Sequence, residues 1–251
     1  MKLNFKIALI VIFLILILLM SFNFQISYSQ ILDIENIQKL KYIETVYDIF
    51  GNGKSSIETI KYFIDDSIYI EETCVGEFGN GYYTITTDSS FRPLVTETKY
   101  SSEVEKIDFF ERYIYNYNNL TITYYDLKKQ SSKIFDLKNI SGDSITLGEV
   151  MVFMNIAKLK DYSTYGLVVP GAMKVPFIFK YIKQDYFQVD NENMIEEIYH
   201  ADIDQPFIQF ISSLFGNRAE IHINHAFPHI RIRSFYSIRT IVLKNYKILY
   251  K

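Results

Sequence analysis

Apolar and polar residues alternate with period two through most of the chain beyond residue 30, and the apolar set is rich in Ile, Val, Tyr and Phe. In Leu120-Thr121-Ile122-Thr123-Tyr124 the Leu, Ile and Tyr share one face and both threonines the other. The same pattern predicts strands over Ile57–Ile64, Tyr82–Thr87, Val95–Tyr100, Phe109–Tyr115, Val175–Ile182 and Ile195–Ile203. Short polar or Gly-bearing turns separate them: Gly51-Asn52-Gly53, Asp65-Asp66-Ser67, Gly79-Asn80-Gly81, Asn118-Asn119 and Lys128 to Ser132. Neighbouring strands with turns this short pair antiparallel, because a parallel pair needs a long crossover.

Two segments change period. Thr146 to about Lys160 starts with the Thr146/Glu149 spacing of a capping box and carries an apolar stripe of Val150, Phe153, Met154 and Ala157. Pro206 to Phe215 has Pro in its first turn and Gly216 just past its end, around Phe207, Phe210, Ile211 and Leu214. Both predict helices, and a third, short one is expected over Ile34–Leu40. The expected fold is mainly β with some helix (α+β). It is a curved antiparallel sheet or half-barrel with one or two helices covering its apolar face, and a sandwich is the alternative.

The N-terminus stands apart. Fourteen apolar residues from Ile7 to Met20 follow Lys2 and Lys6, and Ser27-Tyr28-Ser29 offers small residues for cleavage before Gln30. Residues 1–29 are expected to be a signal peptide, with 30–251 as a single β-rich domain in the periplasm of a bacterium or secreted from it. Residues 7–24 form the alternative, an uncleaved anchor that would hold the chain at the membrane. No cysteine follows the apolar run, so there is no thiol to lipidate.

Composition removes other classes. With one cysteine among 251 residues, Cys74, no internal disulfide is possible, so the core must hold the domain together. Cys74 is expected as a small buried or half-buried strand residue. There is no Trp, but 21 Tyr and 20 Phe supply the large apolar bodies a core needs.

Charge is uneven: beyond residue 29 the net is −5, made of +6 over 218–251 and −11 over 30–217. No nucleic-acid partner and no cofactor is expected.

Catalytic motifs are missing. Gly51-Asn52-Gly53-Lys54-Ser55-Ser56 resembles the end of a phosphate-binding loop, but Asp48 occupies the place of its first glycine and a strand follows where a helix should start. A hairpin turn is the expected role. The pairs Asp65-Asp66 and Glu71-Glu72 cannot each form a converging dyad, because adjacent strand residues point to opposite faces.

The richest stretch is Arg218 to Arg239, read as a hairpin of Ala219–Asn224 and His229–Tyr236. Simple parity turns Ile221, Ile223, Ile230 and Ile232 inward, and gathers His222, His229, Arg231 and Arg233 outside with Arg218 nearby. Arginine forks suit carboxylate or phosphate, so this is a candidate anion-binding face. The alternative is a metal site of His222, His225 and His229, alone or in a metal-dependent enzyme.

Four short segments carry a resemblance: Val46-Tyr47-Asp48-Ile49-Phe50-Gly51, Asp143-Ser144-Ile145-Thr146-Leu147, Val169-Pro170-Gly171 and Phe227-Pro228-His229-Ile230. In that order the chain resembles a family of uncharacterised bacterial envelope domains, similar in build to the half-barrel carriers of lipoproteins. The resemblance implies no catalytic residue. It implies a non-enzymatic envelope protein that holds a lipid, lipoprotein or other amphiphile in a groove. A structural module that binds another envelope protein is the further alternative.

Overall fold

The computed structural model describes residues 34–89, 92–103, 106–119, 121–136, 144–146, 163–169, 173–189, 192–203, 219–236 and 239–251. A single helical turn, α1 (Ile34–Ile37), leads into the first strand, where the sequence predicted a short helix. The helices expected over 146–160 and 206–215 lie outside the described residues, apart from Thr146. That residue ends a short strand instead of opening a helix. Residues 1–29, read as a signal or anchor, and Arg218 also lie outside.

The first eight strands are β1 (Leu40–Gly51), β2 (Lys54–Ile64), β3 (Ile68–Gly76), β4 (Asn80–Thr87), β5 (Pro93–Ser102), β6 (Ile107–Asn116), β7 (Thr121–Asp126) and β8 (Ser131–Asp136). They form one continuous meander. A second series runs β9 (Ser144–Thr146), β10 (Ser163–Val169), β11 (Met173–Val189), β12 (Glu192–Ile203), β13 (Ala219–Asn224), β14 (Arg231–Tyr236) and β15 (Arg239–Tyr250). Every pairing is antiparallel except β9 with β10.

The two series join where β15 pairs with β1, giving one 15-stranded sheet whose outermost strands are β8 and β9. That order forces curvature. Flat, a sheet of this many strands at ~4.8 Å spacing separates its edges by about 67 Å. The eight residue steps from Asp136 to Ser144 reach at most about 29 Å. The sheet therefore curls until its edges come within that reach. A sandwich of two separate sheets is excluded.

The period-two pattern decides which face is enclosed. Ile43, Tyr47 and Ile49 of β1, Ile60, Tyr62 and Ile64 of β2, and Ile68 and Ile70 of β3 are all at most 4% exposed. They merge with Ile221 and Ile223 of β13 and Ile241 and Leu243 of β15 into the main core. Each fully buried Ile contributes about 1.5–3 kcal/mol.

The opposite face carries charge at mid-strand, as in Lys61–Glu71 at 3.9 Å and Arg112–Glu97 at 2.5 Å. The same face also exposes Ile57, Phe63, Tyr69 and Val75.

The turns follow the sequence. Asn52 (φ 48°) and Gly53 (φ 72°) are both left-handed, the geometry an Asn-Gly hairpin needs, with Gly51 opposite Lys54. The expected hairpin role for this stretch holds.

Candidate functional site

Near the end of the sheet that bears the β1–β2 and β3–β4 turns lies a cavity of about 320 Å³. One wall is acidic: Glu58 of β2 and Glu72 and Cys74 of β3 line it. Facing them are Tyr83 of β4, Tyr100 of β5 and Phe109 of β6. Ile49, Ile241 and Arg239 complete it from the β1–β15 side. Cys74 is half-buried, with Sγ 4.0 Å from the Gly79 carbonyl oxygen, as its strand position implied.

Parity explains the carboxylates. Glu58 continues the inward series Ile60, Tyr62, Ile64, and Glu72 continues Ile68 and Ile70. Glu58 pairs in register with Cys74 and Ile60 with Glu72, so the two acids are diagonal neighbours on the enclosed face. Glu71 points the other way, to Lys61. As expected, Glu71 and Glu72 are no dyad; the companion of Glu72 comes from the adjacent strand.

One guanidinium serves this wall. Arg231, 2% exposed, makes an ion pair with Glu58 and lies over the Tyr47 ring at 4.2 Å. Glu72 forms no hydrogen bond among the described residues. Burial, and then the nearby Glu58 carboxylate, push Glu72 up to about 8 against the partial relief of Arg231. It is therefore mostly protonated at neutral pH. Burial also pushes the Tyr47 phenol up to about 12, so it stays neutral.

The β3–β4 turn plugs one side of the cavity region. Phe78 is 2% exposed, its N–H donates to Ser56 Oγ at 3.0 Å, and its carbonyl accepts from Tyr100 Oη at 3.0 Å and from Ser102 Oγ. Arg239 covers its ring at 4.6 Å. The turn can press this close because Gly76 (φ 148°) and Gly79 (φ 149°) flank it. A Cβ on Gly76 would sit 2.6 Å from the Ser56 Cα, and one on Gly79 2.7 Å from the Ser101 carbonyl oxygen.

The basic hairpin does not form the shared outer face that simple alternation predicted. A bulge shifts the register between His222 and Ile223, so that Ile223 opposes Arg231 while His222 opposes Arg233. One extra residue on β14 resets the parity, and Arg231 turns inward to Glu58 while Arg233 stays outside. Ile232 leaves the main core and packs against Met194 instead.

On the outer side Arg233 Nη2 donates to Glu196 at 2.5 Å. His222 lies 3.1 Å from Glu196 and 2.6 Å from Glu220. His225 lies 2.6 Å from Glu197, and His229 Nδ1 3.3 Å from the Asn224 carbonyl oxygen. The three histidines thus face separate partners. Among the described residues no group of three His, Cys, Asp or Glu is arranged to hold a metal ion.

Burial alone would raise the Glu196 carboxyl. Hydrogen bonds from His222 and Arg233 outweigh it and hold the group below the usual carboxylate range. Glu220, raised by burial, is lowered further by His222 and His200. The positive C-terminal segment therefore spends its charge on acids of the rest of the chain, Glu58, Glu196 and Glu197 among them.

A shallower hollow of about 380 Å³ lies elsewhere, beside Asp88, Arg92 and Tyr117. Arg92 there is engaged by Asp88 at 2.7 Å and by the Tyr117 ring at 4.5 Å.

The curled sheet has a counterpart of known structure. The chain is similar to a β-barrel-like protein of Domain of Unknown Function DUF1849 from Brucella abortus, with TM-score 0.51 and 9% identity over 85% of this chain and 99% of that one. The fold is barrel-like. At that identity the likeness concerns fold alone, and it supports the expected place among uncharacterised β-barrel-like proteins. No protein-family profile matches the sequence, and no curated protein matches it.

Sequence reading missed Glu58, set Glu72 aside once it could not pair with Glu71, and noted Arg239 only as the end of the basic stretch. A signal existed for the first two, since each breaks an otherwise apolar series of one parity. Arg231 was noticed, but on the wrong face, because a bulge leaves no mark in period-two alternation.

Proposed function

We propose that the chain is an exported, non-enzymatic envelope protein that binds a lipid, lipoprotein segment or other amphiphile inside its barrel-like sheet. The observation carrying this reading is the cavity of about 320 Å³, lined by apolar and aromatic side chains with a few polar groups, the two carboxyls of Glu58 and Glu72 sharing one wall. Such a lining suits a ligand with an apolar body and one polar head. At about 30 Å³ per water-sized group it admits roughly ten such groups, one short chain instead of a whole phospholipid. Export rests on residues 1–29. Among the described residues lining the cavity, Glu58 and Glu72 have no histidine or third acid beside them, and the other polar side chains are those of Cys74, Thr98, Lys99, Arg239 and the tyrosines.

Native mass spectrometry of the protein purified from its own host tests the reading. A small amphiphile should remain bound, and adding it back to stripped protein should raise the melting temperature. Bare protein with no thermal response to amphiphiles overturns it.

A further inference from the structure

We propose that the cavity selects a ligand with an ammonium head and a short apolar body, and that Glu72 receives the head. This deepens the binding reading above and rests on it.

Charge balance comes first. Glu58 and Glu72 share one wall, and among the described residues the cation that ion-pairs with this wall is Arg231, engaged by Glu58. Buried charges are tolerated when paired. With Arg231 on Glu58, Glu72 itself has no cation at hydrogen-bonding distance among the described residues, which leaves a place for one beside it. Arg239 and Lys99 also line the cavity, but neither is among the charges that act on Glu72: Arg239 lies over the Phe78 ring at 4.6 Å and the Lys99 ammonium over the Phe110 ring at 5.8 Å.

Beside Glu72 the lining also holds Cys74 on its own strand and Tyr83 and Tyr100 from β4 and β5. Among the described residues, no second carboxylate besides Glu58 and no histidine lines the cavity.

The aromatic wall points the same way. Tyr83, Tyr100 and Phe109 present rings to the space in front of the acids. An ammonium is drawn to ring faces, and a carboxylate is not. An anionic head would meet Glu58 at close range, while Arg231 is engaged by Glu58 and the Tyr47 ring and Arg239 by the Phe78 ring. The net −11 of residues 30–217 also favours encounter with cations.

Binding is then proton-linked. Glu72 enters the complex as a carboxylate, so it gives up the proton that burial and Glu58 hold on it. At neutral pH, uptake of an alkylammonium releases about one proton. The affinity strengthens as pH rises toward the value of free Glu72.

Titration calorimetry of the full chain with octylamine, octanoate and octanol, in two buffers of different ionisation heat, tests this. Octylamine should bind at least tenfold more tightly than either control, with proton release at pH 7 that fades at pH 9. Glu72→Gln, neutral like the protonated acid it replaces, should melt normally, bind octylamine at least tenfold more weakly and release no proton. Octanoate or octanol binding as well as octylamine overturns the ammonium head and leaves the cavity reading standing. Unchanged octylamine affinity or proton release in Glu72→Gln overturns the role of Glu72. Failure of all three probes to bind overturns both readings.

Discussion

Glu58 on β2 and Arg231 on β14 form an ion pair on the enclosed face of the sheet, although 173 residues separate them in sequence. The pair bridges the two meanders across β1 and β15, which lie between them in the sheet. A guanidinium so placed has to be matched, and Arg231 is matched by Glu58 below it and by the Tyr47 ring at 4.2 Å.

Removing one member of that pair is therefore costly. Arg231→Met should destabilise the fold by about 3–5 kcal/mol, because it strands two carboxyls without a cation. The double variant Arg231→Met, Glu58→Leu should recover a large part of that loss. Urea unfolding followed by circular dichroism measures both; a double variant as unstable as the sum of its singles would show that the two do not interact.

Glu72 makes stability depend on pH in the opposite sense to most acids. Its folded value, about 8, lies above the ordinary 4.5. Between the two, the unfolded chain has lost a proton that the folded chain keeps, so stability falls as pH rises through that window. Glu72→Gln should remove this fall. Melting temperatures from pH 5 to pH 9 should drop less steeply for the variant than for the parent, and parallel curves would contradict the assignment.

Glu196 and Glu220 act on the acid side. Burial raises both, but hydrogen bonds from His222, with Arg233 on Glu196, hold their folded values below the usual range. Their contribution is present above the unfolded carboxylate value and is lost as pH falls through the folded ones. His222→Asn should lessen the loss of stability below about pH 5 by bringing these acids closer to their ordinary values. Acid titration followed by circular dichroism reads the difference, and an unaltered acid limb counts against the network.

The plug at the β3–β4 turn has a steric test. Phe78→Ala empties a well-packed place beside the core and should cost about 3–5 kcal/mol. Gly79→Ala should also destabilise, since its Cβ meets the Ser101 carbonyl oxygen at 2.7 Å with φ at 149°. Gly53→Ala, which has open space around its Cβ, should cost less than Gly79→Ala. Thermal unfolding ranks the three, and a Gly79→Ala protein as stable as Gly53→Ala would contradict the close packing of this turn.

Much of the sheet was legible in the letters. Period-two alternation placed β2, β4, β5, β6 and β12 within a few residues of their observed bounds, since strand side chains must alternate between a buried and a wet face. Asn52-Gly53 marked its hairpin because few other residues accept two left-handed conformations in succession. Apolar parity turned Ile221 and Ile223 inward correctly.

Three things depended on the tertiary structure. The return of β15 beside β1, which joins two meanders into one curled sheet, arises from pairing across nearly the whole chain, and local sequence carries no record of it. The inward turn of Arg231 follows from a single bulge, and one inserted residue reverses every parity beyond it. The meeting of Glu58, Glu72 and Arg231 needed both. Sequence determined that this would be an antiparallel β-protein with charge concentrated at its C-terminal end. Tertiary structure decided that the charge faces inward and outward at once, because burial demands that each buried cation find its acid wherever the fold has put one.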